Sequence, residues 1–467
     1  MIKFLFPDNF IWGSATSALQ IEGASDADGR GPSVWDSFCR EHPEKIYQQA
    51  TPEIACDHYR KYAEDVALIK QFGHNGYRMS ISWPRIFPSG QKDFNNAGAD
   101  FYSRLFDFLL QNGIEPNVTL YHWDLPQYLA DNGGWENPAT IDAFVNYSQK
   151  CFELYADRVK LWSTINEPAW TTLNGYVTAL HPPCRTDYKA AVQVATNFLV
   201  AHARAANCFH SMNKPGKIGI ALNMSPVYPA TSTPEDIAAA ELADSIFNAW
   251  FSEILLKGKF PQKASELYHK AGIFPNISDS DMNLFENGNL LDFIGVNYYY
   301  PHYATSEAAE TSFHLNTSGN RNESCMFSIE GLFRFVKNPT GIYTDWAWEI
   351  KPEVLYDLLT KIHSLAPGLP VYITENGIGK NETLTDGTVQ DDDRIEFVQS
   401  HLEAIHKAIS AGINVRGYYM WSLLDNFSWI NGFKKRYGFF FVDRDTMMRF
   451  PKKSAHWYRN VAQNNGF

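Results

Sequence analysis

Short runs of β-branched and apolar residues alternate with longer segments of helical period along almost the whole chain. This alternation predicts a parallel sheet whose strands are joined by crossover helices. Eight runs qualify as strands, over residues 11–18, 76–83, 116–123, 161–165, 217–223, 293–299, 371–374 and 415–422. Eight strands that alternate with helices are the number that closes a (β/α)8 barrel.

The segments between these runs carry apolar residues at spacings of three and four, which form one stripe for docking on a sheet. Three such stripes are Tyr59, Tyr62, Val66 and Ile69; Phe144, Tyr147, Cys151 and Leu154; and Ile395, Val398, Leu402, Ile405 and Ile409. Gly73, Gly113 and Gly412 precede predicted strands and are typical of helix ends. The repeating order is therefore helix, glycine, strand.

No Gly/Ser-rich or Pro-rich linker divides the 467 residues. An open doubly wound sheet, the alternative α/β architecture, would carry a glycine-rich phosphate-binding turn after an early strand, and the sequence has none there. We therefore predict an α/β fold in which residues 1–467 form a single (β/α)8 TIM barrel with elaborated βα loops. The polar stretch over residues 306–324 is predicted to be a long loop or insertion after the sixth strand.

Composition and charge narrow the class of protein. The chain is 45% hydrophobic and 20% charged, as globular proteins are, and its net charge of −12 argues against binding to nucleic acid or to an anionic membrane. No run of about 20 apolar residues occurs, and residues 1–7 lack the apolar core of an export signal, so we expect a cytoplasmic protein without a membrane span. The six cysteines show no CxxC or CxxH spacing, so we expect reduced thiols and neither a zinc site nor a disulfide framework. A homo-oligomer is left open.

Two glutamates stand at equivalent places in the predicted barrel. Glu167 follows the fourth strand in Thr164-Ile-Asn-Glu-Pro168, and Glu375 follows the seventh in Ile373-Thr-Glu-Asn-Gly377. Active sites of such barrels collect at the carboxyl ends of the strands, and hydrolysis of an acetal there needs one proton donor and one nucleophile or base. One glutamate at a strand end is usually an ordinary solvated residue. Two favour the hydrolysis of a glycosidic bond, without assigning a role to either.

Polar and aromatic side chains stand at the ends of other strands. A sugar site needs hydrogen-bond partners for hydroxyl groups and an aromatic plate for the apolar ring face. The candidates are Gln20, Arg78, His122, Trp123, Asn166, Asn297, Tyr299 and Trp421. Taken singly, each is more often a packed core residue. Arg78 offers a cation that could hold a nucleophilic carboxylate ionised, whereas His122 lacks the neighbours of a metal ligand.

Several segments in a fixed order resemble the landmarks of glycoside hydrolase family 1. They are Phe10-Ile-Trp-Gly-Ser-Ala-Thr16, Tyr77-Arg-Met-Ser-Ile-Ser-Trp83, Leu120-Tyr-His-Trp-Asp-Leu-Pro126, Thr164-Ile-Asn-Glu-Pro168, Asn297-Tyr-Tyr299 and Ile373-Thr-Glu-Asn-Gly377. The resemblance runs from end to end and implies one catalytic domain over residues 1–467. It also implies hydrolysis of β-glycosides with retention and without a cofactor, with Glu167 as general acid and base and Glu375 as nucleophile.

The resemblance assigns supporting roles as well. It implies that the residues in contact with the sugar are Gln20, His122, Trp123, Asn166 and Trp421. The side chains that would support the nucleophile are Arg78, Asn297 and Tyr299, and Trp348 would be the platform under the leaving group.

A departure from the usual family pattern points to a phosphate. Ser428 stands where relatives that act on unphosphorylated sugars usually carry a glutamate, and Lys435 and Tyr437 resemble the pair with which the 6-phospho-β-glycosidases complete a phosphate pocket. A carboxylate would repel a 6-phosphate, whereas a serine hydroxyl can donate a hydrogen bond to it. In an extended segment, Lys435 and Tyr437 point the same way and Lys434 and Arg436 point elsewhere. Adjacent cations are more often simply solvated, but the missing glutamate favours a phosphate.

The identity of the sugar and two other functions stay open at this point. Trp429, beside the expected position of the C4 hydroxyl, resembles the galacto-type phospho-enzymes, while residues 122–126 and 166–168 have the common β-glucosidase form. We expect gluco or dual gluco/galacto specificity. The alternatives are a β-glucosidase or β-galactosidase acting on unphosphorylated sugars, and a non-catalytic sugar- or receptor-binding barrel. Glu167 and Glu375 argue against the latter, because binding alone requires neither carboxylate.

Overall fold

Eight parallel strands close into a barrel in the computed structural model, which describes residues 3–323 and 325–467. In chain order the strands are β1 (Ile11–Ala15), β2 (Gly76–Ser80), β3 (Glu115–Tyr121), β4 (Leu161–Asn166), β5 (Lys217–Asn223), β6 (Phe293–Asn297), β7 (Val371–Asn376) and β8 (Val415–Trp421). The first strand closes the ring, since it pairs in parallel with β8 on one side and with β2 on the other. The predicted (β/α)8 barrel is confirmed.

The predicted strands lie in the right places, but most of their carboxyl ends are wrong by one to three residues. Five run too far, and two, over residues 161–165 and 371–374, stop short of Asn166 and Asn376. The chain leaves the sheet where its backbone changes: Trp123 has a φ of 74°, and Pro84 lies in the first turn of the helix Trp83–Ile86. Proline and left-handed residues cannot continue a strand ladder, and apolar content alone does not show that stop.

Helices occupy the connections between strands. The longer ones are His58–Gln71, Asn96–Gln111, Pro138–Tyr155, Tyr188–Ser211, Glu353–Leu365, Asp392–Ser410 and Lys453–Asn464. The shorter ones are Ala18–Ile21, Val34–Glu41, Trp83–Ile86, Gln127–Asp131, Pro168–Tyr176, Pro234–Asp244, Trp250–Lys257, Gln262–Lys270 and Asp279–Asn287. None of the helices in the described ranges is long and apolar enough to cross a membrane.

The three predicted apolar stripes all lie on helices, and helix-ending glycines follow as expected. Val66 and Ile69 are fully buried on His58–Gln71, as are Phe144 and Tyr147 on Pro138–Tyr155. The glycines predicted to end helices adopt left-handed φ values of 75° at Gly73, 71° at Gly113 and 88° at Gly412. This conformation ends a helix and turns the chain toward the next strand.

Two apolar layers hold the strands in place. Along β8, Tyr418 and Met420 pack outward in the cluster shared with the helices, and Tyr419 and Trp421 pack in a separate cluster inside the barrel. This alternation is the period of two that a barrel strand requires. The inner cluster also contains Ala15, Leu161, Phe293 and Tyr372, which fill the barrel beneath the strand ends.

An added sheet shows that residues 306–324 belong to an insertion after the sixth strand, as one of the two predicted alternatives had it. Its five strands are Val227–Pro229, His302–Thr305, Ser312–His314, Met326–Ile329 and Phe333–Val336. The polar stretch is therefore not one long loop, because Ser312–His314 pairs antiparallel with Met326–Ile329. The partner strand consists of apolar residues that follow the polar stretch. The composition of the stretch alone therefore did not indicate a strand at Ser312–His314. Ser324, like Met1 and Ile2 of the first seven residues, lies outside the described residues.

Candidate active site

Glu167 and Glu375 reach the mouth of the barrel at points where the strand pairing is irregular. The β4–β5 register shifts between Ser163 and Asn166, and the β7–β6 register shifts between Ile373 and Glu375. Such irregularities re-aim the side chains that follow them. Both carboxyl groups are buried, with exposures of 7% for Glu167 and 4% for Glu375, so neither is an ordinary solvated residue.

Glu375 is held by two donors on its two oxygens. Arg78 on β2 donates from Nη1 to Oε1 at 2.6 Å, and the Tyr299 hydroxyl donates to Oε2 at 2.7 Å. Arg78 is itself fully buried and also donates from Nη2 to Asn166 Oδ1 at 2.6 Å. A buried guanidinium at this distance stabilises the ionised form of the carboxylate.

Glu167 has a weaker set of partners. Asn297 donates from Nδ2 to Glu167 Oε1 at 2.9 Å and to Asn166 Oδ1 at 3.1 Å, while its own Oδ1 accepts from Thr374 at 2.6 Å. No cation pairs with Glu167 among the described residues. Glu167 is the N-cap residue directly before the helix Pro168–Tyr176, so its carboxyl group stands at the junction of strand and helix.

These surroundings separate the two carboxyl groups electrostatically. Burial, followed by the negative charge of Glu375, raises the pKa of Glu167 to about 8. Burial also raises the pKa of Glu375, but the charge and hydrogen bond of Arg78 and the Tyr299 hydroxyl oppose that rise. At neutral pH this favours a proton on Glu167 and a negative charge on Glu375, which is the division of roles that a proton donor and a nucleophile require.

All but one of the predicted site residues line a single cavity at the carboxyl ends of the strands, and the exception, Arg78, lies beneath it. The lining includes Gln20, His122, Trp123, Asn166, Glu167, Asn297, Tyr299, Trp348, Glu375, Trp421, Ser428, Trp429, Lys435 and Tyr437. They come from distant parts of the chain, and the closed barrel brings them together.

Polar groups and indole rings form one wall of this cavity. Gln20 is fixed because it donates from Nε2 to the Phe427 carbonyl at 2.7 Å. His122 Nε2 lies 3.2 Å from Asn166 Nδ2, and burial and Arg78 hold the pKa of His122 well below its usual range. The imidazole is therefore neutral.

The indole rings beside these groups pack on one another. Trp429 lies against Trp123 with ring centres 4.6 Å apart, and Trp421 lies nearly parallel to His122 at 5.8 Å. Trp123, Glu167 and Trp429 all have left-handed φ values, of 74°, 49° and 55°. Left-handed non-glycine residues are strained and cluster at functional sites.

Ser428, Lys435 and Tyr437 share the cavity with the two glutamates. Lys435 is 3% exposed, and its Nζ lies 3.4 Å from the centre of the Trp348 ring. Within residues 3–323 and 325–467 no carboxylate pairs with Lys435, and neither the Ser428 Oγ nor the Tyr437 hydroxyl has a hydrogen-bond partner. Burial holds the pKa of Lys435 well below its usual range.

The two neighbouring cations point elsewhere and have partners. Arg436 Nη1 donates to Asp425 Oδ2 at 3.0 Å, and Lys434 donates to the Ser318 carbonyl. The alternation of this segment thus separates Lys435 and Tyr437 from Lys434 and Arg436.

Sequence reasoning missed several residues of the cavity wall, notably Trp170, Asn223, Tyr300 and Cys325. Asn223 is the last residue of β5, so the strand-end rule that found Asn166 could also have found it. Trp170 follows Glu167 by one helical turn. Cys325 directly precedes a strand of the added sheet, and no local sequence pattern predicts that it lines the cavity.

The side chains that could bind a metal ion are those of the cysteine, histidine and acidic residues. All six cysteines are free, with Cys39, Cys56 and Cys151 buried. In the described part of the chain, no group of three or more His, Cys, Asp or Glu side chains is placed to hold a metal ion.

Comparisons with known proteins agree with this geometry. The family model described as Glycosyl hydrolase family 1 matches residues 2–467. The chain is 43% identical over 469 residues to beta-glucosidase A of Acetivibrio thermocellus, covering 100% of both chains. It is also 43% identical over 471 residues to the aryl-phospho-beta-D-glucosidase BglC of Bacillus subtilis, covering 99% of this chain and 98% of that one. A solved structure of a family 1 b-glucosidase from Thermotoga maritima matches with a TM-score of 0.91 at 38% identity, covering 100% of this chain and 99% of that one.

Proposed function

The chain belongs to glycosyl hydrolase family 1, and we propose that it hydrolyses the β-glycosidic bonds of 6-phosphorylated disaccharides or β-glycosides. Hydrolysis would release a 6-phosphohexose. We propose that residues 1–467 act as one catalytic domain, that no cofactor takes part, and that the enzyme works in the cytoplasm on sugars phosphorylated during uptake.

The proposed reaction has two steps. In the first, Glu375 attacks the anomeric carbon while Glu167 gives its proton to the leaving oxygen, and a glycosyl-enzyme forms. In the second, Glu167 takes a proton from water, which displaces Glu375 from the anomeric carbon, so the β configuration is retained. The pKa of Glu167, raised to about 8, supplies the proton near neutral pH, and Arg78 and Tyr299 support the charge on Glu375.

Several neighbours support this chemistry. We propose that Arg78, Asn297 and Tyr299 orient the carboxyl groups and that Trp348 is the platform under the leaving group. The proposed contacts to the sugar hydroxyls and ring faces are Gln20, His122, Trp123, Asn166, Trp421 and Trp429, all of which line the cavity.

The main support for a phosphate is the buried side chain of Lys435, which has no carboxylate partner within residues 3–323 and 325–467. A buried cation without a counter-charge is costly, and its lowered pKa reflects that cost. A sugar phosphate of about −1.5 to −2 charges would supply the missing partner. The hydroxyls of Ser428 and Tyr437 line the same cavity and supply two further donors for phosphate oxygens.

The names of similar proteins support a phosphorylated substrate but do not decide between it and an unphosphorylated one. One relative at 43% identity is named an aryl-phospho-beta-D-glucosidase, and another at 43% identity is named a beta-glucosidase. We propose gluco or dual gluco/galacto specificity, since both of these names concern glucosides and another relative, at 39% identity, is named a 6-phospho-beta-galactosidase. The non-catalytic barrel is disfavoured because two buried carboxyl groups and a buried Arg78 are costly to keep without chemistry.

A matched pair of lysine variants tests the proposal. Lys435→Ala should raise KM for an aryl β-glucoside 6-phosphate by about 10- to 100-fold, the usual worth of a charge-assisted contact. Lys434→Ala removes the adjacent cation, which donates to the Ser318 carbonyl, and should leave KM unchanged. If Lys435→Ala behaved like Lys434→Ala, an enzyme for unphosphorylated sugars would be the better account.

A further inference from the structure

Arg436 is paired with Lys380, in the segment that follows β7. Arg436 N donates to the Lys380 carbonyl at 3.0 Å, and Lys380 N donates to the Arg436 carbonyl at 2.8 Å. This reciprocal pair places Gly379 between Lys435 and Tyr437, the residues on either side of Arg436.

Gly379 leaves no room for a side chain. A Cβ atom there would lie 2.5 Å from Lys435 Cε, 2.7 Å from Lys435 Cγ and 3.0 Å from Tyr437 Cζ. The backbone of Gly379 is outside the left-handed region, so an alanine could adopt its conformation. The obstacle to a side chain is therefore space alone.

The two neighbours have little free space around them, so a methyl group at Gly379 could be accommodated only if one of them moved. Lys435 Nζ lies 3.4 Å from the Trp348 ring centre and 4.9 Å from that of Trp346, so its stem is confined between Gly379 and two indoles. Tyr437 is 6% exposed, and its carbonyl accepts from Arg394 Nη1 at 2.9 Å. Close packing of this kind makes even one added methyl group felt.

We propose that Gly379 is a specificity-determining residue. Because it has no side chain, Lys435 and Tyr437 can occupy the space beside it and point toward a sugar phosphate. A methyl group at this position displaces the Lys435 stem and withdraws the ammonium group from the phosphate, while Glu167 and Glu375 keep their places. The inference rests on the proposed function, since it concerns the same phosphate site.

The test is Gly379→Ala, assayed with an aryl β-glucoside that does or does not carry a 6-phosphate. KM for the phosphorylated substrate should rise by about tenfold or more, and kcat/KM for the unphosphorylated one should stay within about twofold of the wild type. An unchanged KM for the phosphorylated substrate would overturn the inference. Equal losses on both substrates would also overturn it, because they would show a structural role only.

The double variant Gly379→Ala with Lys435→Ala makes the test independent of stability. Removing the Lys435 stem relieves most of the crowding, so the double variant should fold and match Lys435→Ala alone within about twofold, as coupled sites do. A full additional loss contradicts the inference. If Lys435→Ala raises KM and Gly379→Ala does not, the inference alone fails; if neither does, the phosphate proposal fails with it.

Discussion

Lys435 Nζ lies 3.4 Å from the centre of the Trp348 ring, in the cavity that also holds Glu167 and Glu375. The face of an indole attracts a cation but does not neutralise it. In the described part of the chain, Lys435 therefore meets an attractive ring face but no carboxylate. That arrangement connects a proposed leaving-group platform with a proposed phosphate ligand.

The lowered pKa of Lys435 predicts how phosphate recognition depends on pH. Its pKa lies well below the ordinary 10.5, so the ammonium charge is present at low pH and is lost as pH rises through the lowered value. KM for an aryl β-glucoside 6-phosphate should therefore rise with pH well before an ordinary lysine titrates. Steady-state kinetics over a pH series measures this. KM for the unphosphorylated glycoside is the control and should show no such rise; the same rise for both substrates would contradict the assignment.

Glu375→Gln should abolish hydrolysis with the fold intact. An amide cannot form the glycosyl-enzyme, so kcat should fall by at least about a thousand-fold. Glutamine has the size of glutamate and can keep part of the hydrogen bonding to Arg78 and Tyr299, so the fold should be retained. Circular dichroism and the unfolding midpoint check this. Turnover close to that of the wild type would refute the role of Glu375 as nucleophile.

Glu167→Gln should have an effect that depends on the leaving group. A proton donor contributes about 10²- to 10⁴-fold, so kcat/KM should fall by that factor for alkyl or sugar leaving groups. It should change little for a dinitrophenyl leaving group, which departs without a proton. The parameter is kcat/KM because it reports the first step, whereas kcat also includes the second step, in which Glu167 acts as base. A uniform loss over all leaving groups is inconsistent with a general acid.

The loss of activity at alkaline pH should follow the deprotonation of Glu167. Its pKa is raised to about 8, so the protonated form falls as pH rises through that value, and kcat/KM for a poor leaving group should fall with it. An unphosphorylated glycoside keeps Lys435 out of this measurement. In Glu167→Gln this alkaline loss should disappear, since glutamine does not titrate. A loss that persists unchanged in that variant would assign it to another group.

Most of the fold could be predicted from the sequence, because the alternation of apolar runs and helical stripes is a local property of the chain. The exact strand ends could not, since they depend on backbone conformations such as the left-handed φ of Trp123. Strand Ser312–His314 was hidden for another reason: it forms against Met326–Ile329, and its own composition is polar.

The candidate site divides in the same way. Glu167 and Glu375 stand at strand ends, which the barrel brings together whatever the details of packing. The surroundings of Lys435 could not be read from its neighbours in sequence, because Trp346, Trp348 and Gly379 come from other segments. Their contacts exist only once the loops have packed over the barrel.

The substrate preference of the wild-type enzyme shows whether its sugar carries a 6-phosphate. The measurement is kcat/KM on an aryl β-glucoside and an aryl β-galactoside, each with and without a 6-phosphate. With charge-assisted contacts from Lys435 and two hydroxyl donors, we expect a preference for the phosphorylated substrates of at least about a hundredfold. Equal or faster cleavage of the unphosphorylated sugars would contradict it.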